Sequence, residues 1–321
     1  MLTLISKGRA KWLRDLPSRV AFNVLNERRL RLWLGQRHAA ALNRHSHSLP
    51  QMDPLGAAIV DAVNTHGVYV TTLDALGVPG SASLMDLAGP LADDFAEDAR
   101  TLAAEGQQFI IVPPAEIVRN PQIFRWGLHD RLLDIAESYI GLPVAYDGVV
   151  INYTVADGLE IATRQWHRDR EDRRMLKIAI YLHEVDDEGG PFECISLPDT
   201  VRSDDEGYRY EFGSEDSLRQ RLGADFSRDR RSCTGLKGTV VFADTARFFH
   251  RGKPATGRDR AALFYSYFAN PPRHPFLCER SGISRSEVRH MVNGMPERQR
   301  TAALWPSHLP PVLRIIPPAS L

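Results

Sequence analysis

Cysteine is scarce in this chain. Cys194, Cys233 and Cys278 are its only three in 321 residues, too few, too far apart and of the wrong parity for a disulfide framework or a cysteine-based zinc site. The expectation is a reducing, cytoplasmic setting. Net charge is lacking as well: Lys plus Arg and Asp plus Glu both number 40, which argues against a globally basic nucleic-acid binder and against an acidic solvating chain. Any charged partner must then be met by a local patch. No run approaches the roughly 20 apolar residues that span a bilayer, and Met1 to Ser6 is too short for a signal-peptide core before Lys7, Arg9 and Lys11. No segment recurs at a fixed period. What is present is a 43% hydrophobic fraction with 25% charged residues, enough to build a buried core and too apolar for wholesale disorder. The length suits about two conventional domains or one barrel with added helices.

The charges are unevenly placed. Ten Lys or Arg fall within the first 45 residues against two acids, Asp15 and Glu27. Leu16, Val20, Phe22, Leu25, Leu30, Leu32 and Leu34 read as amphipathic helix around a break at Pro17. Residues 1–50 are therefore expected to form a basic helical extension with a solvated face, packed against the rest of the protein. The alternative is that residues 7–44 dock an acidic partner or a membrane surface. His38, His45 and His47 sit beside the turn at Ser48, Leu49 and Pro50 and read as linker histidines rather than a metal cluster.

From Asp53 the pattern predicts a helix to Asn64, a short strand over Gly67 to Thr71, and helices from about Ser83 to Ala104 and from Pro121 to Tyr139. Strands then follow over Val149 to Val155, Thr163 to Arg168, Leu176 to Val185, Pro191 to Leu197, Gly238 to Ala243 and Arg260 to Ala269. Helices first and many short strands after them predict an α+β fold with a β-sandwich or barrel core. One long interruption, residues 199–233, is dense in Asp, Glu and Arg. Ser214 before Glu215 and Asp216, with Arg219 and Arg221 before Gly223, is the order of charges and caps in a short helix. Its length makes a lid-like insertion over a neighbouring site the working expectation.

The segment richest in chemistry is Gln165 to Asp169, QWHRD. Side chains alternate along a strand, so His167 and Asp169 point the same way and supply two ligands of a facial triad. A third must come from elsewhere in the fold, and the best candidate is His250, 83 residues later in ADTARFFHRGKP. Two His and one carboxylate leave adjacent coordination positions open, as non-haem Fe(II) needs when co-substrate and oxygen bind together. Ten residues beyond His250, Arg260 opens RAALFYSYF, which reads as a strand buried on both faces. A guanidinium entering such a strand calls for an anion, and a bound dicarboxylate would supply one.

QWHRDREDRRMLKIAIYLHEVDDEGGPFECI, followed by GTVVFADTARFFHRGKPATGRDRAAL, resembles the two motif blocks of the phytanoyl-CoA dioxygenase-like branch of Fe(II)/2-oxoglutarate oxygenases. The resemblance covers about residues 55 to 270. It implies a double-stranded β-helix with supporting helices, with His167, Asp169 and His250 holding Fe(II) and Arg260 binding the distal carboxylate of 2-oxoglutarate, with O2 as the other co-substrate. Arg258, two residues earlier, is the rival anchor, although Gly257 places it in the turn. Asn152 and Tyr153 occupy a strand from which related oxygenases contact 2-oxoglutarate; being adjacent, they face opposite ways, so one of them contributes. The chain departs from the family pattern at Ile195, Ser196, Leu197 and Pro198, where Pro-Gly-Ser-His is usual, and at Ala262, where some relatives carry Ser.

The domain plan that follows is an extension (1–50), an oxygenase domain (51–275) carrying the insertion, and a C-terminal helix with a Pro-rich tail (276–321). The implied activity is hydroxylation of an unactivated C–H bond in a small molecule, with desaturation or ring formation open; Asp169 leaves no position for halide. Two rivals stand beside it: an oxygenase acting on a protein or RNA held by the basic arm, whose activity would fall steeply with salt, and a non-catalytic barrel used as a binding module. Lys177 and Tyr181 share a strand face that is either an outward polar stripe or part of a pocket, Trp166 is expected in core, and His183 reads as structural.

Overall fold

The computed structural model describes residues 14–196, 207, 208 and 211–319. Eleven strands are found among them: β1 (Val68–Thr72), β2 (Ile110–Ile111), β3 (Val144–Thr154), β4 (Trp166–Arg168), β5 (Leu176–Tyr181), β6 (Phe192–Ile195), β7 (Glu211–Gly213), β8 (Arg230–Cys233), β9 (Thr239–Ala243), β10 (His250–Gly252) and β11 (Arg260–Ala269). They form two sheets, ordered β1-β9-β5-β11-β3-β2 and β7-β4-β10-β6-β8, and every pairing is antiparallel. The expected α+β class holds.

The alternation of side chains decides what each face of the larger sheet touches. Ile151 and Tyr153 of β3, Ile178 and Ile180 of β5, Val240 and Phe242 of β9, and Ala261, Leu263 and Tyr265 of β11 join the core beneath the helices. Ala179 and Tyr181, Val241 and Ala243, and Ala262 point the other way and meet Phe192, Cys194 and Cys233 of the second sheet. A strand buried on both faces reads as a continuous apolar run, as β9 and β11 do.

The helices seal the outer face. In Asp130–Ile140, buried Leu132, Leu133, Ile135, Ala136, Tyr139 and Ile140 make one stripe, and Gly141 ends the helix at φ 81°, a conformation that favours glycine. Each of these large side chains contributes roughly 1.5–3 kcal/mol by leaving water. The helix expected over Pro121 to Tyr139 is in fact two, Pro121–Trp126 and Asp130–Ile140. The break falls at Gly127, where a Cβ would stand 2.5 Å from the Tyr265 ring and 2.6 Å from the Tyr146 hydroxyl, so the chain crosses there against bare backbone. The helix expected over Ser83 to Ala104 likewise divides into Ser81–Asp94 and Ala96–Ala104. β5 ends at Tyr181, short of the expected Val185, which makes an isolated bridge to Gly235.

The basic segment forms helices Leu16–Leu25 and Arg28–His45. They are fastened by Asn26 Nδ2 to His274 Nε2 at 3.1 Å and by His45 Nε2 to Glu137 Oε1 at 2.9 Å. His45 is thus the hydrogen-bond partner of Glu137 and not part of a histidine cluster. After β11 come helices Arg285–Met291 and Glu297–Ala303, the first closed by a capping box between Ser284 and Glu287, with Trp305 buried behind them. No helix among the described residues is long and apolar enough to cross a membrane.

Candidate metal centre

β4 and β10 are neighbours in the second sheet, and the residues opposite one another are His167 and His250. Directly opposed side chains share a face, so both imidazoles turn inward with centroids 4.2 Å apart. Asp169 follows the end of β4, where its N–H donates to Thr245 O at 2.8 Å. Its Oδ1 lies 3.8 Å from His167 Nε2 and its Oδ2 lies 3.8 Å from His250 Nε2. The ligand atoms of all three buried residues fall within 4.8 Å of one another. The triad converges.

Its protonation suits a metal. His167 Nδ1 is 2.8 Å from Gln165 O and His250 Nδ1 is 3.3 Å from Phe248 O. A carbonyl can only accept, so each Nδ1 carries the proton and each Nε2 lone pair points at the common space. Burial pushes both imidazoles below their ordinary value, well below in His250, where neighbouring His167 adds to the effect. Burial alone would raise the Asp169 carboxyl, but the Lys177 ammonium, with His250 and His167, holds it below the usual carboxylate range. Lys177 Nζ donates to Asp169 Oδ2 at 2.7 Å and fixes the rotation of the carboxylate. Of the two alternatives for Lys177 and Tyr181, the face they share is the inner one. The Tyr181 hydroxyl donates to Cys233 O at 2.6 Å and accepts from Phe192 N at 3.0 Å.

Arg260 sits on the same inner surface. It is 4% exposed, its Nη2 donates to Thr154 Oγ1 at 3.0 Å and its Nη1 to Gly190 O. Its Nε is buried without a hydrogen-bond partner, and no carboxylate pairs with it among the described residues. Burial lowers its pKa. The guanidinium lies over Gly252, where a Cβ would come within 2.7 Å of Nη2. Gly252 is two residues from His250 on β10 and so shares its face, about 7 Å along the strand. Arg258, in contrast, is half-exposed and bound to Asp186.

Asn152 faces inward with Thr154, whose Oγ1 is 3.3 Å from Asn152 Oδ1. Tyr153 faces the helices, packing edge-on against Phe95 and donating to Asp259 Oδ2 at 3.2 Å. Of the adjacent pair, the inner surface therefore receives Asn152. Thr154 is not among the residues that the sequence singles out; its place beside Arg260 follows from the pairing of β3 with β11. His183 pairs with Asp93 at 3.6 Å, away from the triad. The three thiols are free and buried, and burial pushes Cys233 up to about 12 and the other two well above the ordinary value.

The 199–233 insertion is described at 207, 208 and from 211 on; the rest of it lies outside the described residues. Its described part supplies both edges of the second sheet, β7 beside β4 and β8 beside β6, joined by helix Glu215–Leu222 with Ser214 as its cap. Phe212 stands opposite His167 in register and is 64% exposed, which puts an aromatic ring beside the triad on the inner face.

No protein-family model and no curated protein matches the chain. Solved structures similar to it include EctD from S. alaskensis with 2-oxoglutarate and 5-hydroxyectoine, at 24% identity over 70% of this chain and 80% of that one, TM-score 0.47. The epimerase SnoN in complex with Fe3+, alpha ketoglutarate and nogalamycin RO is similar at 16% identity over 76% and 93%, TM-score 0.43. HygX from Streptomyces hygroscopicus with nickel and 2-oxoglutarate bound is similar at 15% over 68% and 89%, TM-score 0.41.

Proposed function

We propose that the chain is an Fe(II)- and 2-oxoglutarate-dependent oxygenase of the phytanoyl-CoA dioxygenase-like kind, hydroxylating an unactivated C–H bond of a small molecule, and that its two sheets form a double-stranded β-helix. The observation that carries this reading is the pairing of the triad with Arg260 on one inner surface. The donor set fits iron: two neutral imidazoles and one carboxylate on one side of a space leave the other side for exchangeable ligands. The guanidinium fits the distal carboxylate, since it is buried with an orphaned Nε and no acid. A separation of about 7 Å along β10 suits a five-carbon dicarboxylate that reaches from the metal to Arg260.

Each residue then has a task. His167, Asp169 and His250 hold the metal, and the Gln165 and Phe248 carbonyls keep the imidazole protons away from it. Lys177 orients Asp169. Arg260 and Thr154 bind the far end of the co-substrate, and Asn152 lies beside them. Bound iron, 2-oxoglutarate and O2 together supply the oxidant; the protein supplies alignment and a dry pocket. Anaerobic titration should show one Fe(II) bound per chain and a rise in melting temperature on adding iron and then 2-oxoglutarate. Admitting oxygen should convert 2-oxoglutarate to succinate. A protein that neither binds the metal nor is stabilised by the pair would overturn the reading.

A further inference from the structure

The outer face of the second sheet, turned away from the triad, carries a buried ionic knot that the reaction does not use. Arg251, next to the ligand His250, is 6% exposed. Its Nε donates to Glu193 Oε2 at 2.8 Å, its Nη1 reaches Glu160 Oε1 at 3.2 Å and its Nη2 reaches Glu215 Oε2 at 2.9 Å. Trp166, next to the ligand His167, donates from Nε1 to the same Glu215 Oε2 at 2.9 Å, and the Arg251 guanidinium covers its ring at 4.4 Å. Glu160 also accepts the backbone N–H of Glu215 at 3.0 Å, and Arg230 comes within 3.4 Å of Glu215 Oε1. Beneath this knot Trp166, Phe249, Ile195, Leu218 and Phe226 form their own apolar cluster, so helix Glu215–Leu222 lies against the back of the sheet.

The backbone between the two metal-bearing strands is sparse. β4 and β10 have three residues each, and their ladder consists of one pair, His250 opposite His167. One pair fixes which residues face each other but does little to resist sliding or splaying. The side chains behind it do resist: one carboxylate oxygen of Glu215 accepts a hydrogen bond from Trp166, the residue before His167, and forms an ion pair with Arg251, the residue after His250.

We infer that Glu215 is a positioning residue that clamps β4 to β10 from behind and so sets the spacing of the two imidazoles, making the insertion helix part of the metal site. The inference rests on the iron-binding reading above. Outer partners that orient metal ligands typically change affinity by about 10–100-fold when removed, and here one atom restrains two ligands through their neighbours.

The test uses the full-length protein and anaerobic calorimetric titration with Fe(II), or with Co(II) as an air-stable probe. Glu215→Ala and Trp166→Phe should each weaken metal binding by about tenfold or more. Asp216→Ala, which alters the exposed neighbour in the same helical turn, should bind as the wild type does. The double variant Glu215→Ala/Trp166→Phe should be little weaker than either single one, because both break the same clamp; independent structural damage would instead add. With iron saturating, the KM for 2-oxoglutarate should stay at the wild-type value, since Arg260 and Thr154 lie on the inner face. Glu215→Gln, which keeps size and an acceptor oxygen, should recover part of the affinity. Wild-type affinity in Glu215→Ala, or additive losses in the double variant, would overturn the clamp while leaving the oxygenase reading intact. A wild-type protein that binds no metal would sink both.

Discussion

Asp169→Ala and His250→Ala are each expected to abolish iron binding and turnover together. Two of three ligands cannot hold the ion in a geometry open to oxygen. The loss at Asp169 has a second part, because the carboxylate is also the partner of Lys177, whose pKa is raised by Asp169 and Glu171 against the opposing effect of burial. Removing the acid leaves an ammonium beside two imidazoles, where a divalent cation is least welcome. Asp169→Asn separates the two effects, keeping the shape while losing the charge, and should also fail. Metal content after anaerobic loading and succinate formation are the measurements; full activity in either alanine variant would remove the triad from the mechanism.

The second large effect belongs to Arg260. Arg260→Ala should raise the concentration of 2-oxoglutarate needed for half-maximal rate by on the order of 2–5 kcal/mol, which is about thirtyfold to a few thousandfold, because a carboxylate would be left unpaired in a buried site. Arg258→Ala should change it little. That side chain is half-exposed and paired with Asp186 and Glu184 across the surface, a type of ion pair worth about 0–1 kcal/mol. The ranking is read from initial rates at varied 2-oxoglutarate with iron saturating. Reversal of the order would move the anchor to Arg258.

What could be read in the sequence depended on whether the signal was local. His167 and Asp169 are two apart in a strand, so period-two alternation alone placed them together; His250 followed from chemistry, as the missing ligand. β11 showed itself as an apolar run opened by an arginine, and its limits, Arg260 and Ala269, came out as expected. The burial of that arginine without an acid, and the glycine that makes room for it, depend on which strands become neighbours. No spacing in the sequence discloses that Gly252 lies under Arg260. The same holds for Thr154, which matters because β3 pairs with β11 in the register Arg260↔Thr154. The apolar stripe over Pro121 to Tyr139 carries through without a break in the sequence; the break comes from two tyrosines of a later sheet pressing on Gly127. In the charged insertion, Ser214 and the order of charges after it made the helix legible as a helix. Which side of the sheet it backs was decided by Glu215 finding Trp166 and Arg251.

The bridge at His274 ties the first helices to the sheet. Its Nδ1 lies 2.6 Å from the carbonyl of Arg170, the residue after Asp169, and its Nε2 is 3.1 Å from Asn26. Burial keeps this imidazole neutral, so one nitrogen donates to the carbonyl while the other accepts from the amide. A single ring thus spans from the first helices to the segment carrying Asp169. A version of the protein trimmed to start beyond Asn26 would lose that strut and the Phe22 ring tilted against it at 4.9 Å, so the segment that composition alone marks off as an appendage is tied by its first helix to the strand end that carries Asp169.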